Sequence, residues 1–211
     1  MKRDLLAWCV RVFTGARLSS DPDGKDTTRV YYANHSSHLD FVVIWAALPS
    51  RLRERVRPVA AADYWSRGAV RRWLAQRVFR AVLIPRERIK PSDDPIGKMA
   101  AVLEQGNDLI FFPEGARSPD GHVGDFHSGL HALALKHPHS ALIPVYLENL
   151  NRILPKGEFM LVPVMGNATF GPPCEGPRDG ESRRDFLRRA RSALLELSSH
   201  PPETCGTPPH L

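Results

Sequence analysis

Short, continuous apolar runs alternate along this chain with longer stretches whose apolar positions recur every three or four residues. The runs at 29–33, 56–61, 81–85, 108–112, 141–146 and 159–164 have the length and composition of buried strands. The stretches at 37–48, 64–80, 95–105, 129–137 and 182–198 carry helical spacing. Strands that alternate with helices predict an α/β fold, a single domain with a mainly parallel mixed sheet flanked by helices. Ahead of the first strand, residues 2–17 read as an amphipathic helix. Leu5, Leu6, Trp8, Cys9, Val12, Phe13 and Ala16 form its apolar stripe, and Lys2, Arg3, Arg11 and Arg17 lie elsewhere. Asp21-Pro22-Asp23-Gly24 marks the turn that follows. The expected organisation is a membrane-contacting helix over 1–20, the main folded domain over 21–198 and a proline-rich, disordered tail over 199–211.

Composition narrows the class. With 42% hydrophobic and 25% charged residues the chain is ordinary globular material. Cys9, Cys174 and Cys205 are odd in number and fit no metal spacing, which favours a reduced, cytoplasmic setting. The net charge of +6 implies an anionic partner: phosphorylated metabolites, nucleic acid or a lipid surface. No run of apolar residues is long enough to span a bilayer, so no transmembrane segment is expected. Charges at Asp4, Arg11 and Arg17 interrupt any signal-peptide core.

Two constellations carry chemistry. After the first strand comes Asn34-His35-Ser36-Ser37-His38-Leu39-Asp40. His35 and Asp40 would diverge on one continuous helix, but they meet if His35 lies on the strand-to-helix loop and Asp40 in the first helical turn. Ser36 or Ser37 is a suitable cap for that helix. A neutral His35 could then take a proton from a hydroxyl while Asp40 fixes its tautomer. Ser37-x-x-Asp40 also fits a capping box, which needs no chemistry at all. The chain has no Gly-x-Ser-x-Gly elbow or other companion nucleophile, so the attacking group would be the substrate's own hydroxyl.

The second constellation, Phe111 to Ser118, takes the chain from a buried strand into a tight turn. Gly115 permits close backbone approach, and Arg117 offers a fork suited to phosphate. Arg86, after Val82-Leu83-Ile84-Pro85, is a second fork at a strand end. Ligands of open α/β sheets gather at the carboxyl ends of the strands, where all these residues fall.

With these motifs the chain resembles the glycerolipid acyltransferase family, which includes glycerol-3-phosphate and lysophosphatidic acid acyltransferases. The family's Asn-His-x-Ser-x-x-Asp is matched at Asn34, His35, Ser37 and Asp40. Its apolar strand ending in Arg is matched at Val82–Arg86, with Pro85 where an acidic residue is usual. Its Phe-Pro-Glu-Gly-Thr-Arg-Ser is present as Phe112–Ser118 with Ala116 for Thr, and its proline-bearing strand as Leu142–Val145. The likeness covers roughly residues 28–165. The family's Phe-Lys-x-Gly is here Phe126-His127-Ser128-Gly129, without the lysine.

The resemblance implies a glycerol-3-phosphate acyltransferase-like fold and transfer of an acyl chain from acyl-CoA or acyl-carrier protein to a lysophospholipid hydroxyl. 1-Acylglycerol-3-phosphate is the first choice of acceptor; glycerol-3-phosphate and an aminolipid are alternatives. It implies His35 as general base and Asp40 as its partner. Arg86, Glu114, Gly115, Arg117, Ser37 and His127 would shape the acceptor site. No cofactor or metal is expected: His127 and His131 are four residues apart with His122 nearby, but no Asp or Glu joins them in a known ligand pattern. Tyr64 to Arg80, with Trp65, Trp73 and five arginines, reads either as a solvated helix face or as a surface for an anionic membrane on the cytoplasmic side, where the enzyme would sit as a peripheral protein. Arg183, Arg184, Arg188, Arg189 and Arg191 form a basic patch open to coenzyme A, an acidic carrier or lipid. A non-catalytic membrane- or nucleic-acid-binding protein is the remaining alternative, and no nucleic-acid motif supports the latter.

Overall fold

The apolar runs pair into one sheet because each can bury both faces. Strands β1 (Arg29–Ala33), β2 (Val56–Ala61), β3 (Val82–Ile84), β4 (Asp108–Phe111), β5 (Ala141–Glu148) and β6 (Asn167–Phe170) follow the order β3-β2-β4-β1-β5-β6. Every pairing is parallel except β5 with β6. Central β1 lies between β4 and β5, with Tyr31 opposite Ile110 on one side and Ile143 on the other. The computed structural model describes residues 7, 8, 10, 27–37, 40–66, 68–85, 94–118, 121–148 and 167–199.

Helices cover both faces. They are α1 (Asp40–Ala47), α2 (Ser50–Arg55), α3 (Ala62–Trp65), α4 (Ala69–Trp73, continuing as a π-turn over Leu74–Val78), α5 (Pro95–Glu104), α6 (Gly129–Lys136) and α7 (Arg183–Glu196). Side chains alternate across the sheet as the pleat dictates. Tyr31, Ala33, Ile110, Ile143 and Val145 pack against Ile44, Trp45 and Leu48 from α1 and its end. Val30, Tyr32, Leu109 and Leu142 pack against Met99 and Leu103 of α5, Leu130 and Leu133 of α6, and Phe186, Ala190 and Leu194 of α7. The result is a helix–sheet–helix sandwich with two cores. Each fully buried Leu, Ile or Phe contributes about 1.5–3 kcal/mol. The Tyr32 hydroxyl donates to the Ala190 carbonyl at 3.1 Å, tying the centre of the sheet to α7.

Caps set the helix starts. Asp94 accepts from the Gly97 N–H at 2.7 Å ahead of Pro95, and the Ser182 hydroxyl accepts from the Asp185 N–H. At the amino end of β4, buried Asp108 accepts the Arg29 N–H at 2.9 Å and faces Arg55 at 3.6 Å. Burial pushes that carboxyl above its usual range, with Arg55 opposing. It lies at the opposite end of the strands from His35.

Three features depart from the sequence expectation. The helix expected over 64–80 is broken at Gly68, whose φ of 84° no helix accommodates, and ends at Val78, two residues before Arg80 with its φ of 50°. A short helix, α2, precedes β2; its residues are polar, and only Leu52 and Arg53 are buried, the latter over the Trp45 ring. Strand β6 was not expected, since four residues at a sheet edge leave almost no periodicity to read. The strand expected at 159–164 and residues 200–211 of the tail lie outside the described residues. Of the segment 2–17, Ala7 is buried in the α1-side core with Val10 against it, and Trp8 is exposed.

Candidate active site

Because β1 and β4 run parallel, both end at the same edge, where one leads into Asn34–Ser37 and the other into Phe112–Ser118. Asn34 continues the pairing beyond β1: its side-chain amide donates to the Leu147 carbonyl at 3.0 Å and accepts the Leu147 N–H at 2.8 Å. The chain then turns, and α1 begins at Asp40.

Asp40 is fully buried, and its Oδ2 accepts three bonds: from Ser36 N–H at 2.7 Å, from Ser37 N–H at 2.9 Å and from the His35 ring at Nδ1, 2.8 Å away. The capping and the histidine-orienting readings therefore hold at once, on a single oxygen. Oδ1 is buried without a partner among the described residues. A carboxylate at Nδ1 favours the tautomer protonated there and leaves the Nε2 lone pair as the acceptor. The His35 side chain is 13% exposed, so the ring is sheltered yet reachable. Phe112 stacks on it at 4.3 Å between centroids, which fixes its plane.

The second loop grips the backbone of His35 from both sides. Its N–H donates to Glu114 Oε1 at 2.8 Å, and its carbonyl accepts the Ser118 N–H at 2.7 Å. Phe112-Pro113-Glu114-Gly115 is a turn closed by Gly115 N–H on the Phe112 carbonyl, with proline at the position that favours its fixed φ. Gly115 has φ of 69°, a conformation that side chains resist, and an added Cβ would lie 3.0 Å from the His127 ring. Glu114, 7% exposed, gives its second oxygen to the Gly124 N–H at 2.8 Å. Both its oxygens thus serve main-chain groups.

The other expected site residues fall as follows. Arg117 is exposed on this loop, and its guanidinium has no partner among the described residues. His127 is exposed beside Gly115, with its N–H on the Pro113 carbonyl. Ser37 is buried under Asp40. Arg86 lies outside the described residues. His122, His127 and His131 do not assemble into a group of three metal-ligand side chains among the described residues. His131 packs edge-on against Phe186. In the C-terminal basic patch, Arg189 and Arg191 turn inward to carbonyl oxygens, while Arg183 and Arg184 are exposed. Asn34, Phe112 and Gly124 also brace the site; Asn34 and Phe112 stand inside the two motifs, whereas nothing in the sequence singles out Gly124.

The strand ends of a mostly parallel α/β sheet thus present a histidine–aspartate pair held in place by a second loop. Residues 20–148, more than half the chain, match the family model described as Acyltransferase, and the chain belongs to that family. It is 28% identical over 139 residues to a chloroplastic 1-acyl-sn-glycerol-3-phosphate acyltransferase of Arabidopsis thaliana, a match covering 63% of this chain and 35% of that protein. It is 30% identical over 151 residues to a 1-acyl-sn-glycerol-3-phosphate acyltransferase of Limnanthes alba, covering 68% of this chain and 49% of that one. It therefore spans less than half the length of these curated relatives. The fold matches the crystal structure of the 1-acyl-sn-glycerophosphate acyltransferase PlsC of Thermotoga maritima with a TM-score of 0.72 at 20% identity, covering 94% of this chain and 78% of that one.

Proposed function

We propose that this protein moves an acyl chain from acyl-CoA or acyl-carrier protein to the free hydroxyl of a lysophospholipid, converting 1-acylglycerol-3-phosphate to phosphatidate. The observation that carries the reading is His35 Nδ1 bonded to buried Asp40 at 2.8 Å, in a chain of the acyltransferase family. In the proposed step neutral His35 takes the hydroxyl proton at Nε2 as the oxygen attacks the thioester carbonyl carbon. The carbon–sulfur bond then breaks, and the proton passes from Nε2 to the leaving thiolate, so nothing beyond the two substrates is consumed. Arg117, exposed on the loop that locks His35, is the proposed contact for the acceptor phosphate.

The acceptor is a lipid, and a basic, aromatic face supports docking on the cytoplasmic surface of an anionic membrane. On α4, Val70 is 71% and Trp73 55% exposed, beside exposed Arg71 and Arg72. Each such arginine contributes about 1 kcal/mol near anionic lipid. Trp65 does not share this face; it packs edge-on against Phe41. No helix of the described residues is long and apolar enough to cross a membrane.

The test is thiol release from acyl-CoA or acyl-carrier protein that depends on a lyso-acceptor, with product masses read over 1-acylglycerol-3-phosphate, glycerol-3-phosphate and an aminolipid. Folded His35→Ala should lose turnover by about 10²–10⁴. Undiminished turnover would refute the base assignment. Flotation with anionic vesicles, and no shift of an oligonucleotide, is the expected binding pattern.

A further inference from the structure

Arg191 sits on α7, outside the residues that match the family model, yet its side chain reaches the catalytic edge. Its Nη2 donates to the Val123 carbonyl at 2.7 Å and its Nε to the Gly124 carbonyl at 2.9 Å. The two bonds use the fixed fork of a guanidinium, which an ammonium does not reproduce.

A peptide unit is planar and trans, so its C=O and N–H point in opposite directions. Holding the Val123 oxygen toward α7 therefore aims the Gly124 N–H away from it, where it meets Glu114 Oε2 at 2.8 Å. The other oxygen of Glu114 holds the His35 N–H at 2.8 Å. A Cβ at 124 would lie 3.0 Å from Glu114 Oε2, so any larger residue there would push the carboxylate aside by a few tenths of an ångström. Glu114 has no cation on its carboxylate among the described residues. The positive charge enters one peptide away, through Arg191, and a carbonyl bonded to a cation makes its own N–H a stronger donor.

We propose that Arg191 is a positioning residue for the base, acting through the Val123–Gly124 peptide and Glu114 on the backbone of His35. The inference rests on the proposed acyl transfer for its kinetic consequence and on geometry alone for its structural one. Arg189 on the same helix is an internal control. Its guanidinium grips Glu181 Oε1 and Oε2 and the carbonyls of Glu175 and Gly176, none of which bonds to the His35 loop.

The experiment measures kcat and acceptor KM for the parent, Arg191→Ala, Arg191→Lys, Arg189→Ala, Glu114→Gln and the Glu114→Gln/Arg191→Ala pair. The substrates are an acyl-CoA and 1-acylglycerol-3-phosphate, each protein being held below its own melting temperature. Arg191→Ala should lower kcat by about 10- to 100-fold, the scale of a roughly 1 Å misplacement of a catalytic group, with KM nearly constant. Arg191→Lys should recover only part of the loss. With Glu114→Gln already present, Arg191→Ala should cost no more than about twofold, the scatter of independent sites. Arg189→Ala should lower the melting temperature and leave kcat within about twofold. Equal kinetic effects of Arg189→Ala and Arg191→Ala, or additive losses from Glu114 and Arg191, would overturn the relay.

A second readout needs no turnover. In nitrogen-15 spectra Arg191→Lys should move the amide resonances of both Gly124 and His35, and Arg189→Lys should leave His35 in place. A stationary His35 amide in Arg191→Lys defeats the inference even in an active enzyme. A parent inactive on every acceptor defeats the proposed function while leaving this measurement to judge the relay.

Discussion

Replacing Asp40 by asparagine removes one charge and almost no volume, and three bonded groups report the result. The amide oxygen can take the place of Oδ2, which accepts from Ser36 N–H, Ser37 N–H and His35 Nδ1. The amide nitrogen must then occupy the site of Oδ1, which is buried and has no partner among the described residues. Leaving that NH₂ unsatisfied costs about 1–3 kcal/mol. The flipped amide would set its N–H groups against three donors and is worse. Stability should therefore fall by about 1–3 kcal/mol, which lowers the melting temperature by about 2–4 °C per kcal/mol in a chain of this size.

Turnover should fall much further. When the ring takes a proton, the imidazolium gains the field of a carboxylate whose charge centre is about 4 Å away, worth about 4 kcal/mol at an effective dielectric constant near 20. Most of that vanishes with a neutral amide, so kcat should drop by about 10²–10³. The thiol-release assay and a thermal melt on the same preparation separate the two effects. A folded Asp40→Asn protein that turns over at the parent rate would show that Asp40 is only a helix cap, and the orienting role would be refuted.

Gly115→Ala forces a Cβ onto φ of 69° and against the His127 ring, so it should cost about 1–2 kcal/mol in chemical denaturation. Asn34→Ala strands the buried N–H and carbonyl of Leu147 and should cost about 2–4 kcal/mol, read the same way. Hydrogen bonds from Arg189 first, then the Arg178 N–H, hold the Glu181 carboxyl down to about 2, against an ordinary value of 4.5. A depressed acid contributes stability that is complete above its unfolded value and is lost as pH falls toward its folded one. Melts from pH 6 down to pH 2.5 should therefore show a steeper decline below about pH 4.5 in the parent than in Glu181→Gln.

Much of the fold was legible because burial leaves a direct mark on sequence. β1 and β2 lie where their apolar runs end, and α5 starts at a proline after an aspartate. The break inside 64–80 was missed because three- and four-residue spacing persists across Gly68, and spacing carries no φ. β6 was missed because an edge strand of four residues is fixed by its partner β5 rather than by its own pattern. At the site, the proximity of His35 and Asp40 was legible, since a loop followed by a helix start leaves few other ways to fold five residues. The work of Glu114 was not. Its partners are the N–H groups of His35 and Gly124, and a main-chain donor has no letter in the sequence. For the same reason the inward arginines of α7 looked like a surface patch.

The loop proposed to hold the acceptor phosphate is also the loop that holds His35, the proposed base. Arg117 lies between Glu114 and Ser118, both bonded to the backbone of His35, so a load placed on its guanidinium bears on the segment that sets the ring. Binding energy from a part of the substrate that does not react can then be realised as alignment, which raises kcat rather than only lowering KM. If so, Arg117→Ala should raise the KM for 1-acylglycerol-3-phosphate and also lower kcat, by about 10-fold each if one charge-assisted bond worth about 1.5–3 kcal/mol is divided between them. With a lyso-acceptor that lacks phosphate, the parent should already show the reduced kcat, and Arg117→Ala should change neither constant. Because Arg117 is exposed and has no partner among the described residues, the melting temperature should not move. A loss confined to KM would mean that the proposed phosphate contact and the proposed base are mechanically separate, despite sharing the loop from Glu114 to Ser118.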